Sequence, residues 1–215
     1  MKKTFSILAV AVFMLSAFTA KAQLSVNAGY APETFTTATT VGNTTSSTTK
    51  DYNGFFLGVD YNVNLKADLN VAFGAQLRMN MHNDESTVLT VTTKRNENQI
   101  LLDIPIMLNY GFGLGRDARM TLFAGPMVSF ALQGNTKITT HSTVTTLADT
   151  ETNTEWYGDN SSNERLNLSG VFGVMLGFRE YRLFGGYRMG FLDLNNDDNI
   201  KTTTAGIFIG LGMAL

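Results

Sequence analysis

"ILLDIPIMLNYGF", residues 100–112, is the stretch whose reading decides the fold. It resembles one buried apolar run, yet Asp103 and Pro105 stand in its middle. Reading every second residue removes the conflict. Ile100, Leu102, Ile104, Ile106, Leu108 and Tyr110 form one set, and Leu101, Asp103, Pro105, Met107 and Asn109 form the other. Successive side chains of an extended chain point to opposite faces, whereas a helix repeats every 3.6 residues. The stretch is therefore a strand with one apolar face and one mixed face.

The same period recurs along the chain. In 54–64, Phe55, Leu57, Val59, Tyr61 and Val63 alternate with a set broken only by Phe56. Residues 70–80 and 203–215 behave alike, with Gly206, Gly210 and Gly212 on the second face of the last one. Eight such strands are expected, at 23–31, 54–64, 70–80, 100–111, 119–132, 166–178, 181–192 and 203–215. Most are longer than the five or six residues usual in soluble sheets. At about 3.3 Å per residue and a tilt near 45°, ten residues span roughly the height of a bilayer's apolar band.

The connectors alternate. Residues 32–53, 81–99 and 133–165 are long and rich in Thr, Ser and Asn; 65–69, 112–118 and 179–180 are short, and 193–202 is intermediate. Long outer loops and tight periplasmic turns mark an outer-membrane barrel. With the apolar parity turned to lipid, Tyr30, Phe55, Phe130 and Phe191 form an outer aromatic belt. Tyr61, Tyr110, Phe178 and Tyr181 form an inner one. Asp103 then faces the lumen, where a carboxylate is tolerable; towards lipid it would be very costly. Pro105 cannot donate to a sheet ladder, and a closed barrel has no edge to host it. With a turn near Gly115, Pro126 lies almost opposite, and a bulge or ladder gap is expected there.

The start of the chain sets the compartment. Lys2 and Lys3, the apolar Phe5–Phe18 and Ala20-Lys21-Ala22 read as a cleaved signal peptide over 1–22, leaving 23–215 as one barrel domain. Removing 22 of 215 residues leaves 193. Removing Lys2, Lys3 and Lys21 leaves 13 basic against 18 acidic residues, a charge of −5. Mild acidity argues against nucleic acid as a partner. Without cysteine, no disulfide framework is available and no lipidated cysteine follows the leader.

Four segments, "LLDIPIMLNYGF", "LFAGPMVSFAL", "LSGVFGVMLGF" and "LFGGYRMGFLDL", in that order, resemble the outer-membrane β-barrel domain family of Gram-negative bacteria. This is the porin-like group that includes the PorT-type proteins. The acidic-Ile-Pro strand followed by the Ala-Gly-Pro strand is the most specific part. The resemblance implies an all-β, eight-stranded antiparallel up-and-down transmembrane barrel. It carries over no catalytic residue and no cofactor. Such barrels commonly end on an aromatic residue, read by the insertion machinery; this chain ends on Leu215.

By parity, Asp60, Arg78, Asp103, Arg182 and Arg188 point into the lumen. They line a small conduit or pair with one another; eight strands leave room for little more than side chains, and unpaired charge there costs several kcal/mol, so pairing is expected. Trp156 and Tyr157 are candidate loop anchors for an extracellular ligand. The Thr-rich "TTATTVGNTTSSTTK" and "TKITTHSTVTTLADTETNTEW" are expected as adhesive or merely solvated loops, with 136–147 able to extend its strands above the membrane. His82, with Asp84, Glu85 and Ser86 nearby, is the one hint of a rim hydrolase, but loops of this composition produce such proximity by chance. Two histidines without cysteine argue against a structural zinc site, and Asp149, Glu151, Glu155, Asp159 and Glu164 are spaced too loosely for a calcium loop. The expectation is a non-catalytic monomer that presents its outer loops, surrounded by outer-membrane lipids. Its alternative is passage of a small or hydrophobic solute through the lumen or a lateral gap beside the prolines.

Overall fold

The computed structural model describes residues 23–66, 68–89, 91–142, 149–157, 161 and 163–215. The expected signal peptide, 1–22, lies outside them. The described strands are β1 (Gln23–Tyr30), β2 (Glu33–Val41), β3 (Thr44–Lys66), β4 (Leu69–Val88), β5 (Val91–Gly113), β6 (Ala118–Ser142), β7 (Thr150–Glu155), β8 (Leu166–Phe178), β9 (Tyr181–Gly190) and β10 (Ile200–Ala214). Every pairing is antiparallel, and the sheet closes through β9–β10, β10–β1 and β1–β3.

Ten strands fill eight places in the ring. β1 and β2 both lie between β10 and β3, one above the other, separated at Ala31–Pro32. β7 and β8 likewise share the edge of β6, at Asn135–Thr140 and Ala118–Phe130. The eight-stranded up-and-down barrel is thus present, with its first and sixth strands interrupted.

The faces are inside out relative to a soluble protein. Leu57, Leu77, Leu108, Phe172, Ile207 and Leu211 are exposed, at 52–66%, while Ser25, Asn80 and Asp103 are at 0% and Arg78 at 2%. Glycine lets bulky lumen rings fit: a Cβ on Gly173 would run into Phe123 and the Gly185 carbonyl. A smaller apolar cluster of Phe123, Met127 and Val171 sits inside, with Met107, Met175, Phe184 and Phe208 against it.

The strands are longer than the sequence pattern implies. Residues expected as the loops 32–53 and 81–99 are paired almost throughout, as the β2–β3 and β4–β5 hairpins. β6 runs on to Ser142, so part of 133–165 is strand as well. Above the apolar belt, alternation between greasy and polar faces ends because neither face touches lipid. β-branched threonine still favours the extended chain. Cross-strand hydroxyl pairs, Thr40–Thr45 and Thr87–Thr92 at 3.1 Å, join the arms of two hairpins. Gly42, with φ 61°, opens the two-residue turn between Val41 and Thr44.

The proline region has a ladder gap. β5–β6 pairing stops after Pro105↔Met127 and resumes at Leu108↔Ala124 in the same register. β4–β5 pairing skips likewise between Phe73↔Ile106 and Gln76↔Asp103. The gap is not a hole: a Cβ on Gly125 would collide with the Ile106 carbonyl, so the two backbones touch. A bulge lies five residues higher, at Ile100/Leu101.

Candidate functional site

The inward parity of four strands builds a charged cluster across the upper lumen. β4 supplies Arg78 and Asn80, β5 Asp103 and Gln99, β9 Arg188, and β2 Glu33. Arg78 donates from Nε to Asp103 Oδ2 at 2.7 Å and from Nη2 to Oδ1 at 3.3 Å, a two-pronged contact. Its Nη1 donates to Glu33 and, at 3.2 Å, to Asn80 Oδ1. Arg188 lies 3.1 Å from Glu33 and 3.8 Å from Asp103. Asn80 ties the set to its surroundings, donating to Glu33 at 2.7 Å and Gln99 at 3.1 Å. All four charged side chains are at most 6% exposed, and their formal charges cancel. The cluster fills the bore as a plug.

A second pair sits towards the short-turn end. Arg182 Nη2 donates to Asp60 Oδ2 at 3.2 Å, and Asn27 donates to Asp60 Oδ1 at 2.8 Å. The five lumen residues read from parity therefore divide into two groups on two levels, Arg78, Asp103 and Arg188 above and Asp60 with Arg182 below. Glu33, a further member of the upper group, follows Pro32 in a segment whose composition reads as a loop. The alternation Ser25, Asn27, Gly29, Ala31, Glu33 runs straight through that proline and would have placed it inward.

Between the levels lies a chamber of about 90 Å³, walled by Phe56, Phe123, Phe184, Phe208, Met107 and Met175.

At the long-hairpin end, Trp156 and Tyr157 fold onto the barrel rim. Trp156 donates from Nε1 to Thr136 Oγ1 at 2.7 Å and meets Tyr52 edge-on. Tyr157 accepts from Gln99 at 2.6 Å, with Arg165 5.1 Å over its ring. Both rings are half-buried rather than offered to solvent. Beside them Glu97, three residues beyond Ile100 and above the apolar belt, is 1% exposed. It accepts from Lys50 at 2.9 Å, and also from Tyr52 and Arg95. Burial pushes its carboxyl pKa up; these hydrogen bonds and the Lys50 and Arg95 charges outweigh that and hold it below the usual carboxylate range. Burial and the adjacent carboxylate push the Tyr52 phenol up. The Lys50–Glu97 pair links the β2–β3 hairpin to the sheet made by β4, β5, β6 and β7.

His82 places Nδ1 2.6 Å from the Asp51 carbonyl and its ring on Tyr52. Ser86 stands four residues along the same exposed strand, roughly 13 Å away. His141 pairs with Asp149 at 2.7 Å, and Glu151 with Lys137 at 2.9 Å. Among the described residues, no group of three or more His, Asp or Glu side chains could hold a metal ion. Asp159 lies outside them.

The family model for the outer membrane protein β-barrel domain matches residues 13–196. The chain belongs to this family. It is an outer-membrane barrel, and the exposure of Leu57, Leu77 and Leu211 is contact with hydrocarbon. No curated protein matches the chain. Solved structures with similar folds include the attachment invasion locus protein Ail of Yersinia pestis, at 13% identity over 90% of this chain and 100% of that one, with a TM-score of 0.38. They also include Neisserial surface protein A, at 15% identity over 90% and 99%, TM-score 0.44. The outer membrane enzyme PagL matches at 13% identity over 83% and 97%, TM-score 0.46. These likenesses concern the fold alone.

Proposed function

We propose that this barrel is a non-catalytic display scaffold: a membrane cylinder that holds polar hairpins out from the cell surface. The observation that carries this is the continuation of β2 to β7 well beyond the apolar belt as paired, Thr-rich strands. Pairing fixes the hairpins in place, so whatever meets them meets a preformed surface. Packing of Trp156 and Tyr157 at the rim supports a framework role for these two rings, with ligand contact left to the exposed threonine faces above. The Arg78–Glu33–Asp103–Arg188 plug argues against a through-passage for solutes, and the tight Gly125–Ile106 contact argues against a standing lateral opening.

An epitope inserted after Gly42 tests the reading. On intact cells it is stained by antibody, and single barrels in planar bilayers carry no steady ion current. Staining only after the outer membrane is permeabilised would reverse the orientation and end the proposal. Altered outer-membrane lipids on expression of wild type, but not of His82→Ala/Ser86→Ala, would replace it with the hydrolase.

A further inference from the structure

The chamber between the two charged levels combines two features that ordinary lumen filling does not need. Its walls are mainly phenyl rings and thioethers, with the amides of Asn27, Asn62, Gln76 and Asn109 among them, and Arg182 and Arg188 also line it. Each carries a buried Nε–H without an acceptor. The Arg188 side chain is only 6% exposed. A buried guanidinium N–H with nothing to donate to costs the desolvation of a charged group, and native proteins satisfy nearly all such groups. The ion pairs of Arg188 to Glu33 and Asp103, and of Arg182 to Asp60, use the terminal nitrogens and leave the two Nε–H groups over. An apolar wall next to unused donors fits a molecule with an apolar body and an acceptor head.

We propose that the chamber is a dead-end binding site for a small unbranched carboxylate, a carboxylate oxygen taking the free Nε–H of Arg188 and its short alkyl tail lying among Phe56, Phe123, Phe184 and Phe208. The plug closes the far side, since Arg78 and Asp103 are 2% and 1% exposed. The entrance is the short-turn end, where Asp60 and Arg182 are 19% and 14% exposed and form the gate. A space of about 90 Å³ holds several waters or a short tail, not a lipid with two chains. The binder and the display scaffold are independent readings, because the hairpins take no part in the chamber.

The methionines report on occupancy. Met107, Met127 and Met175 line the chamber, whereas Met79 and Met189 are exposed on the outer face. The full mature chain, in phosphatidylcholine nanodiscs and labelled with ¹³C at the methionine methyls, is titrated with hexanoate. Saturable shifts confined to the chamber methyls are expected, with octanoate binding about tenfold tighter, as roughly 0.8 kcal/mol per buried methylene implies. Met175→Phe, which fills the chamber, abolishes the shifts, and Arg188→Lys weakens hexanoate while leaving 1-hexanol unchanged. Heat-modifiable gel migration confirms that both variants fold. Shifts that grow linearly and include Met79 and Met189 would mean partition into lipid and overturn the site. Equal response to 1-hexanol and hexanoate in wild type would overturn the carboxylate assignment.

Discussion

Arg78→Met removes the centre of the lumen plug while keeping much of the side-chain volume, so the effect is electrostatic more than steric. In wild type two guanidinium groups face two carboxylates, with Arg78 bonded to both Asp103 and Glu33. In the variant, Arg188 alone faces both, at 3.1 and 3.8 Å, and one negative charge is left uncompensated in a site almost without solvent. Removing one partner of a buried ion pair costs about 3–5 kcal/mol. With a slope of roughly 2 kcal/mol per M in urea, the unfolding midpoint in lipid vesicles falls by about 2 M. Asp103→Asn added to Arg78→Met leaves Glu33 with Arg188, one charge against one. The double variant is therefore less damaged than the sum of the singles, by about 1–3 kcal/mol. Urea unfolding of wild type, both singles and the double, followed by tryptophan fluorescence and gel migration, gives the four numbers. A loss below about 1 kcal/mol for Arg78→Met, or strict additivity, would refute the view that these groups act as one neutral cluster.

Other expected outcomes follow from the same geometry. Leu77→Arg puts a cation on the lipid face and costs about 2–4 kcal/mol in vesicles, a loss that unfolding titrations read directly. Gly125→Ala is destabilising by about 1–3 kcal/mol because the new methyl meets the Ile106 carbonyl across the ladder gap; Gly113→Ala, with nothing within 4 Å, stays close to wild type in the same assay. Glu97 makes stability acid-sensitive. Its folded pKa is lowered, so its contribution is full above the ordinary carboxylate value and fades as pH falls through the folded one. Glu97→Gln is accordingly less stable than wild type at pH 7, and the difference narrows as pH falls below about 4. A constant difference across that range would contradict the assigned hydrogen bonds.

Much of the barrel is legible in residues 100–112. Asp103 among six alternating apolar residues forces a two-faced strand, and the same parity puts Arg78, Arg188, Asp60 and Arg182 inside. The Pro105 and Pro126 spacing marks the ladder gap. Two things were not legible. The Thr-rich arms carry no apolar alternation once they leave the bilayer, so strand and loop look alike there; pairing, not patterning, makes them strands. Glu33 follows a proline in such an arm, and its partners are 45 and more residues away, on β4 and β9.

Sequence by itself determines which face of each strand meets hydrocarbon, because burying or exposing a side chain beside lipid depends on its own chemistry and on a period of two. Tertiary closure decides which charges meet. Ring closure brings β2, β4, β5 and β9 together around one bore, sorts its lumen charges into a sealed plug and a lower gate, and leaves an apolar chamber between them. Those distances depend on shear and register around the whole ring, which no single strand encodes.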